Sequence, residues 1–211
     1  MDEPLTVGLV GVGRLGSAIG QLVAEAGHRL LVADRPDDRV FRAVVETVLP
    51  TARTVPLAEL AERADVVVLA VPQRALAGLD LARTRGVVLD ATNAWEAAEG
   101  PDPAHRVDPL TWAARLPGVP VVKSLNHAAY ADLLRDARPS DAPGRRAFAV
   151  AGDDAAAVAR VGGLVDSMGF DAVATAAADA PLLEPDGAVF GRWYDAADLR
   201  AALPHAALSV G

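Results

Sequence analysis

The stretch Leu5–Gly20, LTVGLVGVGRLGSAIG, decides the fold of this chain. Its apolar first part predicts a buried strand, and the residues after the glycines have the composition of a helix. Between the two lies Gly-Val-Gly-Arg-Leu-Gly, a G-x-G-x-x-G pattern. A strand, a glycine-rich turn and a helix in this order leave unpaired N–H groups at a helix N-terminus, where a pyrophosphate can bind. With an acidic residue about 20 positions further on, the pattern predicts a dinucleotide site.

Each glycine of the pattern has its own physical task. Gly11 permits the tight turn out of the strand, Gly13 has no Cβ to keep a pyrophosphate from the backbone, and Gly16 lets the helix pack closely on the sheet. The other residues of the turn that we expect to bind the cofactor are Val12, Arg14 and Leu15.

The composition of the 211 residues excludes several classes of function. A formal net charge of −8 argues against nucleic acid and anionic membranes as partners. The chain has no cysteine, so disulfides and thiolate metal sites are excluded, which fits a reducing compartment. No apolar run reaches the roughly 18 residues of a membrane span, and the acidic N-terminus is unlike a signal peptide. We expect a cytoplasmic protein that binds small molecules and no metal. The sequence leaves undecided whether the protein forms a homodimer.

Beyond the glycine turn, short apolar runs alternate with segments of helical periodicity. This alternation predicts an α/β fold: a Rossmann-type, doubly wound, mostly parallel sheet with a small C-terminal α/β extension. The further predicted strands are 29–33, 65–71, 86–90, 119–125, 147–151 and 170–174, and the further predicted helices are 40–49, 57–64, 155–168 and 196–203.

A polar, proline-rich stretch over 135–146 predicts a connection between two units. The first is a dinucleotide-binding Rossmann domain, residues 1–136, and the second is a small C-terminal α/β lobe, residues 146–211, packed on it. We also expect an exposed loop over 95–108 and a short helix over 110–116, because the composition turns to Glu, Asp, Gly and Pro before a proline–glycine stop.

Ligands of such sheets bind outside the carboxyl ends of the strands, so residues just past each strand are the site candidates. Asp34 follows the second strand, where a carboxylate accepts hydrogen bonds from an adenosine ribose. A 2′-phosphate would meet like charge there, although the neighbouring Arg35 could offset the repulsion. These residues favour NAD(H) and leave NADP(H) open.

The ends of the next two predicted strands carry further candidates for cofactor contact, namely Ala70, Val71, Pro72 and Asn93. The uncharged amide of Asn93 can bond a ribose or a carboxamide without titrating. The alternative is that Asn93 serves the turn itself, since asparagine suits strand exits for backbone reasons.

The predicted strand over 119–125 contains Lys123 and is followed by Asn126 and His127. A buried lysine needs a partner, unless its amine extends to the edge of the sheet. We take Asn126 and His127 as the candidate catalytic residues, although a lone histidine is often structural. The chain has no convincing set of catalytic acid, base or nucleophile side chains. This favours hydride transfer between two bound cofactors, because in such reactions the protein mainly positions the cofactors.

Several stretches fall in the order of a known family. They are Gly11–Gly16, Leu69–Pro72, Asp90–Asn93, Val121–His127, Ala151–Asp154 and Leu183–Pro185. Together they resemble the NADPH-dependent coenzyme F-420 reductases, a group that includes the cytoplasmic domain of the STEAP metalloreductases. The resemblance spans essentially the whole chain and implies hydride transfer from a nicotinamide to a deazaflavin or flavin, both bound across the strand ends.

The chain departs from this family at two positions. Well-characterised members have a small polar and a basic residue after the second strand, which suits a 2′-phosphate, whereas this chain has Asp34. They also have a histidine directly after the leucine of the sixth strand, where this chain has Asn126, with His127 next. We predict an NAD(P)H-dependent oxidoreductase that reduces coenzyme F-420 or a flavin. A reductase of small carbonyl or imine substrates and a non-catalytic dinucleotide-binding sensor are the alternatives.

The same reasoning predicts where the second ligand binds. The strand ends at Pro72, Asn93, Asn126 and His127 should form one wall of a cleft, and the C-terminal lobe near 183–185 should form the other. An acceptor ring would stack on the nicotinamide there, because hydride crosses only about 3–3.5 Å.

Overall fold

The structure is a computed structural model that describes residues 3–35, 38–94, 114 and 116–206. In these residues eight strands form one sheet in the order β3-β2-β1-β4-β5-β6-β7-β8. The strands are β1 Thr6–Val10, β2 Arg29–Ala33, β3 Arg53–Val55, β4 Val66–Leu69, β5 Val87–Asp90, β6 Val121–Lys123, β7 Ala147–Ala151 and β8 Asp171–Thr175.

Helices of the described ranges cover the faces of this sheet. They are α1 Arg14–Glu25, α2 Arg39–Val48, α3 Leu57–Arg63, α4 Gln73–Leu76, α5 Tyr130–Asp136, α6 Ala155–Ser167 and α7 Ala196–Ala202, with a 3-10 helix at Ala177–Leu183. Aspartates cap several of them: the Asp154 carboxylate accepts from the N–H of Ala157 at 2.9 Å and so caps α6. None of these helices is long and apolar enough to cross a membrane.

Strand direction divides the sheet into two parts. From β3 to β6 all neighbours are parallel, whereas β7 runs antiparallel to β6 and β8 runs parallel to β7. The predicted fold class is therefore confirmed. Because β1 lies between β2 and β4, the strand order reverses there, and this switch point is where doubly wound sheets bind their ligands.

The central strands are buried on both faces, which explains their continuous apolar runs. All four residues of β4 are buried, and so are all four of β5. The sequence reasoning missed β3, α4, α5 and the 3-10 helix. Strand β3 has only three residues, and two of them, Arg53 and Thr54, are exposed, so it lacks an apolar pattern.

The predicted division into residues 1–136 and 146–211 stays a prediction, and β7 and β8 extend the same sheet as β1–β6. The predicted loop over 95–108 lies outside the described residues. So does the predicted helix over 110–116, apart from residues 114 and 116.

Candidate dinucleotide and acceptor site

The glycine turn after β1 packs tightly against the end of β4. Gly11 has a φ of +103°, a conformation that favours glycine, and a Cβ there would lie 2.5 Å from the carbonyl oxygen of Ala70. A Cβ on Gly16 would overlap the carbonyl oxygen of Gly11. These two glycines therefore let α1 begin directly on the turn and let the turn touch β4.

Gly13 has the opposite environment. It is exposed, its backbone is extended, and a Cβ built on it would meet nothing within 4 Å. No side chain caps the first N–H groups of α1 at this residue, and the first turn of α1 carries no acidic residue. The helix N-terminus is thus open and keeps its positive dipole end, which fits a pyrophosphate.

The other residues of the turn hold its shape. The Ser17 hydroxyl donates to the carbonyl oxygen of Val12 at 3.0 Å, and Leu15 packs against the hydrophobic core. The Arg14 guanidinium lies 5.7 Å from the centre of the Tyr130 ring, at the start of α5. Tyr130 is 40% exposed beside the turn, and the sequence carries no signal that would have placed it there.

Asp34 and Arg35 lie just past β2, as predicted, and both are exposed. The N–H of Asp34 donates to the carbonyl oxygen of Val55 at 2.8 Å and ties the end of β2 to β3. Arg35 lies 3.7 Å from the carboxylate of Asp38, which also caps α2. An exposed ion pair of this kind contributes about 0–1 kcal/mol, so Arg35 is free to exchange it for a phosphate.

The end of β4 forms the neighbouring part of the site. The N–H of Ala70 donates to the carbonyl oxygen of Val10 at 2.9 Å, which holds the exit of β4 against β1. Val71 is partly exposed, and Pro72 is exposed and begins α4. The structure therefore brings Ala70, Val71 and Pro72 beside the glycine turn.

The amide of Asn93 is joined to Asn126. Its Nδ2 donates to the carbonyl oxygen of Asn126 at 2.7 Å, and its Oδ1 accepts from Asn126 Nδ2 at 2.9 Å. The Nδ2 of Asn126 also donates to the carbonyl oxygen of Leu183 at 2.6 Å. Asn93 keeps one further N–H and one lone pair, so its contact with a cofactor stays a prediction.

Leu125 has an unusual backbone. It is fully buried with a φ of +63°, a left-handed conformation that costs a residue other than glycine about 1 kcal/mol or more. Hydrogen bonds on either side hold it: Ser124 Oγ donates to the carbonyl oxygen of Ala149 at 2.7 Å, and Asn126 bonds to Leu183. This reversal sends the side chains of the following residues inward.

Asn126 and His127, the predicted catalytic residues, lie in the interior, so a catalytic role for them stays a prediction. Asn126 is fully buried and His127 is 2% exposed. The His127 ring lies 4.9 Å from Phe148 and its Nε2 accepts from the N–H of Ala149 at 3.3 Å. The physical reason is that β7 packs Phe148 and Ala149 against the end of β6, leaving the imidazole in an apolar space.

The same burial keeps His127 neutral. Desolvation, together with the positive charges of Arg146 and Lys123, lowers its pKa from 6.5 to about 3. Since Nε2 accepts, Nδ1 carries the proton, and it faces Asn126 Oδ1 at 3.5 Å. The neutral, enclosed imidazole packs on Phe148 and supports the end of β6.

Lys123 is buried with carboxylate partners and does not extend to the edge of the sheet. Its Nζ lies 2.8 Å from Glu184 Oε1, 2.9 Å from the carbonyl oxygen of Thr92 and 3.5 Å from Asp90 Oδ2. The other oxygen of Glu184 accepts from the N–H of Ala94 at 3.1 Å. The sequence shows that Lys123 needs a partner, but Glu184 lies too far along the chain to be named from it.

The two predicted walls of the acceptor cleft are in direct contact at these residues. Lys123 and Asn126 on the strand side bond to Glu184 and Leu183 on the C-terminal side. The N–H of Gly191 also donates to the carbonyl oxygen of His127 at 2.9 Å. In the part of the chain that the structure describes, the C-terminal segment is thus bound to the strand ends rather than set apart from them.

The chemistry available at this edge is binding and orientation. The described ranges contain no group of three or more His, Cys, Asp or Glu side chains that could hold a metal ion. What they offer is an open helix N-terminus, exposed Asp34 and Arg35, and a buried polar network. A glycine turn at the switch point of a mostly parallel sheet defines a Rossmann-type, dinucleotide-binding protein.

Residues 6–94, from β1 to just past β5, match the model of the family described as NADP oxidoreductase, coenzyme F420-dependent. The resemblance predicted from the sequence is confirmed, and with it the class of enzyme, an NAD(P)-dependent oxidoreductase. No curated protein matches the chain.

Solved structures share the fold over most of the chain. A hypothetical protein, SMa0349, from Sinorhizobium meliloti is 26% identical with a TM-score of 0.75, covering 90% of this chain and 95% of that one. A protein from Arthrobacter sp. FB24, provisionally described as an F420-dependent NADP-reductase, is 21% identical with a TM-score of 0.63, covering 83% and 87%. An imine reductase from Myxococcus stipitatus, solved with NAD+, is 15% identical with a TM-score of 0.60, covering 86% of this chain and 59% of that one.

Proposed function

We propose that this protein transfers a hydride between a nicotinamide dinucleotide and a deazaflavin of the coenzyme F-420 type or a flavin. The observation that carries the proposal is the open, uncapped N-terminus of α1 at Gly13, set on a turn that Gly11 and Gly16 hold against β4. The description of the family that matches residues 6–94 supports the acceptor class.

The residues of the chain bind and orient in this proposal. The N-terminus of α1 holds the pyrophosphate, and Asp34 accepts from the adenosine ribose. The nicotinamide half then extends over the ends of β4 and β5, past Pro72 and Asn93. The bound nicotinamide supplies the hydride chemistry, so the site does not require an acid–base pair, and the buried Asn126 and His127 are assigned a supporting role.

Cofactor preference depends on a local balance of charge. A 2′-phosphate about 4 Å from Asp34 would cost roughly 1 kcal/mol in water and about 4 kcal/mol near a protein surface. Arg35 can offset part of this cost by leaving its exposed pair with Asp38. We propose that NADH binds at least as well as NADPH, although the name of the family refers to NADP.

The second candidate function is a dinucleotide-binding sensor without turnover. The observation that favours it is the contact between the strand ends and the Leu183–Glu184 segment, which occupies part of the space predicted for an acceptor. The small carbonyl or imine reductase stays an alternative, because the imine reductase neighbour, at 15% identity, shows the fold alone. A cytoplasmic location and a homodimer stay predictions.

The fate of a deuterium label on the nicotinamide distinguishes the hydride-transfer enzyme, the imine reductase and the sensor. The purified protein is incubated with NADH or NADPH carrying deuterium on one face of nicotinamide C4, together with coenzyme F-420, FMN, FAD or a panel of imines. Stereospecific appearance of deuterium at C5 of the F-420 deazaflavin, or stereospecific loss of deuterium from the nicotinamide as FMN or FAD is reduced, supports the proposal. Binding of the dinucleotide without transfer to any acceptor supports the sensor, transfer to an imine supports the alternative, and failure to bind either dinucleotide refutes all of them.

A further inference from the structure

The loop that follows β5, Thr92–Ala94, is held at every residue by a polar partner. The Thr92 N–H donates to Asp90 Oδ1 at 2.8 Å, and the Thr92 carbonyl oxygen accepts from Lys123. The Asn93 side chain is joined to Asn126, and the Ala94 N–H donates to Glu184. These contacts fix the position of a loop at the carboxyl edge of the sheet.

We propose that Lys123 and Glu184 are positioning residues that hold the loop Thr92–Ala94 in the shape required by the nicotinamide half of the cofactor. The inference rests on the proposed function, because it assumes that a dinucleotide binds along this edge. It goes beyond that function by assigning part of the nicotinamide site to the C-terminal segment, through Glu184.

Lys123 acts through its neighbours. An ammonium group has three N–H donors, and the three oxygens around Lys123 Nζ lie at 2.8, 2.9 and 3.5 Å. The side chain is 2% exposed, and a buried charge is tolerated only when it is paired in this way. The ammonium donates to the Thr92 carbonyl oxygen and forms an ion pair with the Glu184 carboxylate, so Lys123 orients these two groups.

Glu184 connects the C-terminal segment to the loop. Its two carboxylate oxygens have different partners: Oε1 faces Lys123 at 2.8 Å and Oε2 accepts from the Ala94 N–H at 3.1 Å. Removal of Oε1 would take from the ammonium its nearest carboxylate oxygen, and removal of Oε2 would leave the Ala94 N–H without its partner. The carboxylate is therefore a bridge between β6 and the loop that follows β5.

The strand order places this loop on the nicotinamide side. Asp34 follows β2 and the glycine turn follows β1, so a dinucleotide that lies from the ribose site to the pyrophosphate site continues toward β4 and β5. The loop Thr92–Ala94 is the exit of β5. A displacement of about 1 Å near reacting groups can cost on the order of a hundredfold in rate, so a fixed loop matters for transfer.

The test is Glu184→Gln, measured by calorimetry against two ligands. Glutamine has the same shape but only one oxygen, so it cannot accept from Lys123 and Ala94 together. Binding of NADH should weaken about tenfold, the loss expected for one hydrogen bond to a charged group, while the Kd of ADP-ribose, which lacks the nicotinamide, should stay within about twofold. The matched control is Glu62→Gln, on the last turn of α3 at the opposite edge, where the carboxylate pairs with exposed Arg83. It should change neither Kd.

A second variant tests the other end of the bridge. Lys123→Met should likewise weaken the binding of NADH and leave the Kd of ADP-ribose within about twofold. Its effect should not add to that of Glu184→Gln, because both variants remove the same connection. Thermal unfolding of every variant separates binding from folding. Equal weakening of NADH and ADP-ribose, no weakening of either, or loss of folding in Glu184→Gln would overturn the positioning role. Failure of the unaltered protein to bind both NADH and ADP-ribose would instead refute the proposed function.

Discussion

Replacement of Gly13 by valine tests the phosphate site directly. The free space around this residue means that the fold should accept a side chain: a Cβ meets nothing within 4 Å, and the φ of −65° suits any residue. Valine is a poor residue at the start of a helix, so the free energy of unfolding should fall by about 1 kcal/mol at most. The folded protein should therefore survive the change.

The effect on binding should be much larger. A bound pyrophosphate would approach the backbone at Gly13 and accept from the first N–H groups of α1. A valine side chain occupies that approach and displaces the phosphate from about two hydrogen bonds to a charged group, each worth about 1.5–3 kcal/mol. A loss of about 3 kcal/mol corresponds to a Kd for NADH that is weaker by roughly a hundredfold.

The assay is calorimetric titration of NADH into the folded variant, with Gly16→Ala as the contrasting substitution. A Cβ on Gly16 overlaps the carbonyl oxygen of Gly11, so this smaller change should lower the unfolding temperature strongly. A folded Gly13→Val protein that binds NADH with unchanged Kd would refute the assignment of the turn as a phosphate site. A stable Gly16→Ala protein would refute the packing argument.

The remaining predictions concern Asp34, Asn126 and His127. Asp34→Ser should improve the Kd of NADPH relative to NADH by about tenfold or more by removing like charge; a native preference for NADPH by a large factor would show that Arg35 outweighs Asp34. Asn126→Leu should lower the free energy of unfolding by about 2–4 kcal/mol, because Asn93 and the Leu183 carbonyl lose a buried partner; urea titration with an unchanged midpoint would contradict this. The pKa of His127 is lowered to about 3 in the folded protein, below its unfolded value of 6.5. Between these two pH values the unfolded chain binds a proton that the folded protein does not bind. The free energy of unfolding should therefore fall as the pH drops from about 6.5 toward 3. His127→Gln should flatten that dependence between pH 6.5 and 4, and equal slopes for both proteins in urea titrations would show that the imidazole is not the cause.

The local sequence determined the fold class and the place of the glycine turn. The G-x-G-x-x-G turn is readable because two of its glycines meet backbone requirements set within a few residues: a positive φ at Gly11, and close packing at Gly16. Strands such as β4 and β5 are readable because burial on both faces demands an unbroken apolar run. The choice of Asp34 and Pro72 as site candidates followed from the rule that ligands lie past the strand ends.

Only the tertiary structure decided what happens at the exit of β6. The positive φ of Leu125 turns Asn126 and His127 inward, and the antiparallel entry of β7 brings Phe148 against the imidazole. The partner of Lys123 is Glu184, which belongs to a distant part of the chain. Periodic patterns report which face of an element is buried, but not which distant segment covers it, because that choice depends on the packing of the whole sheet.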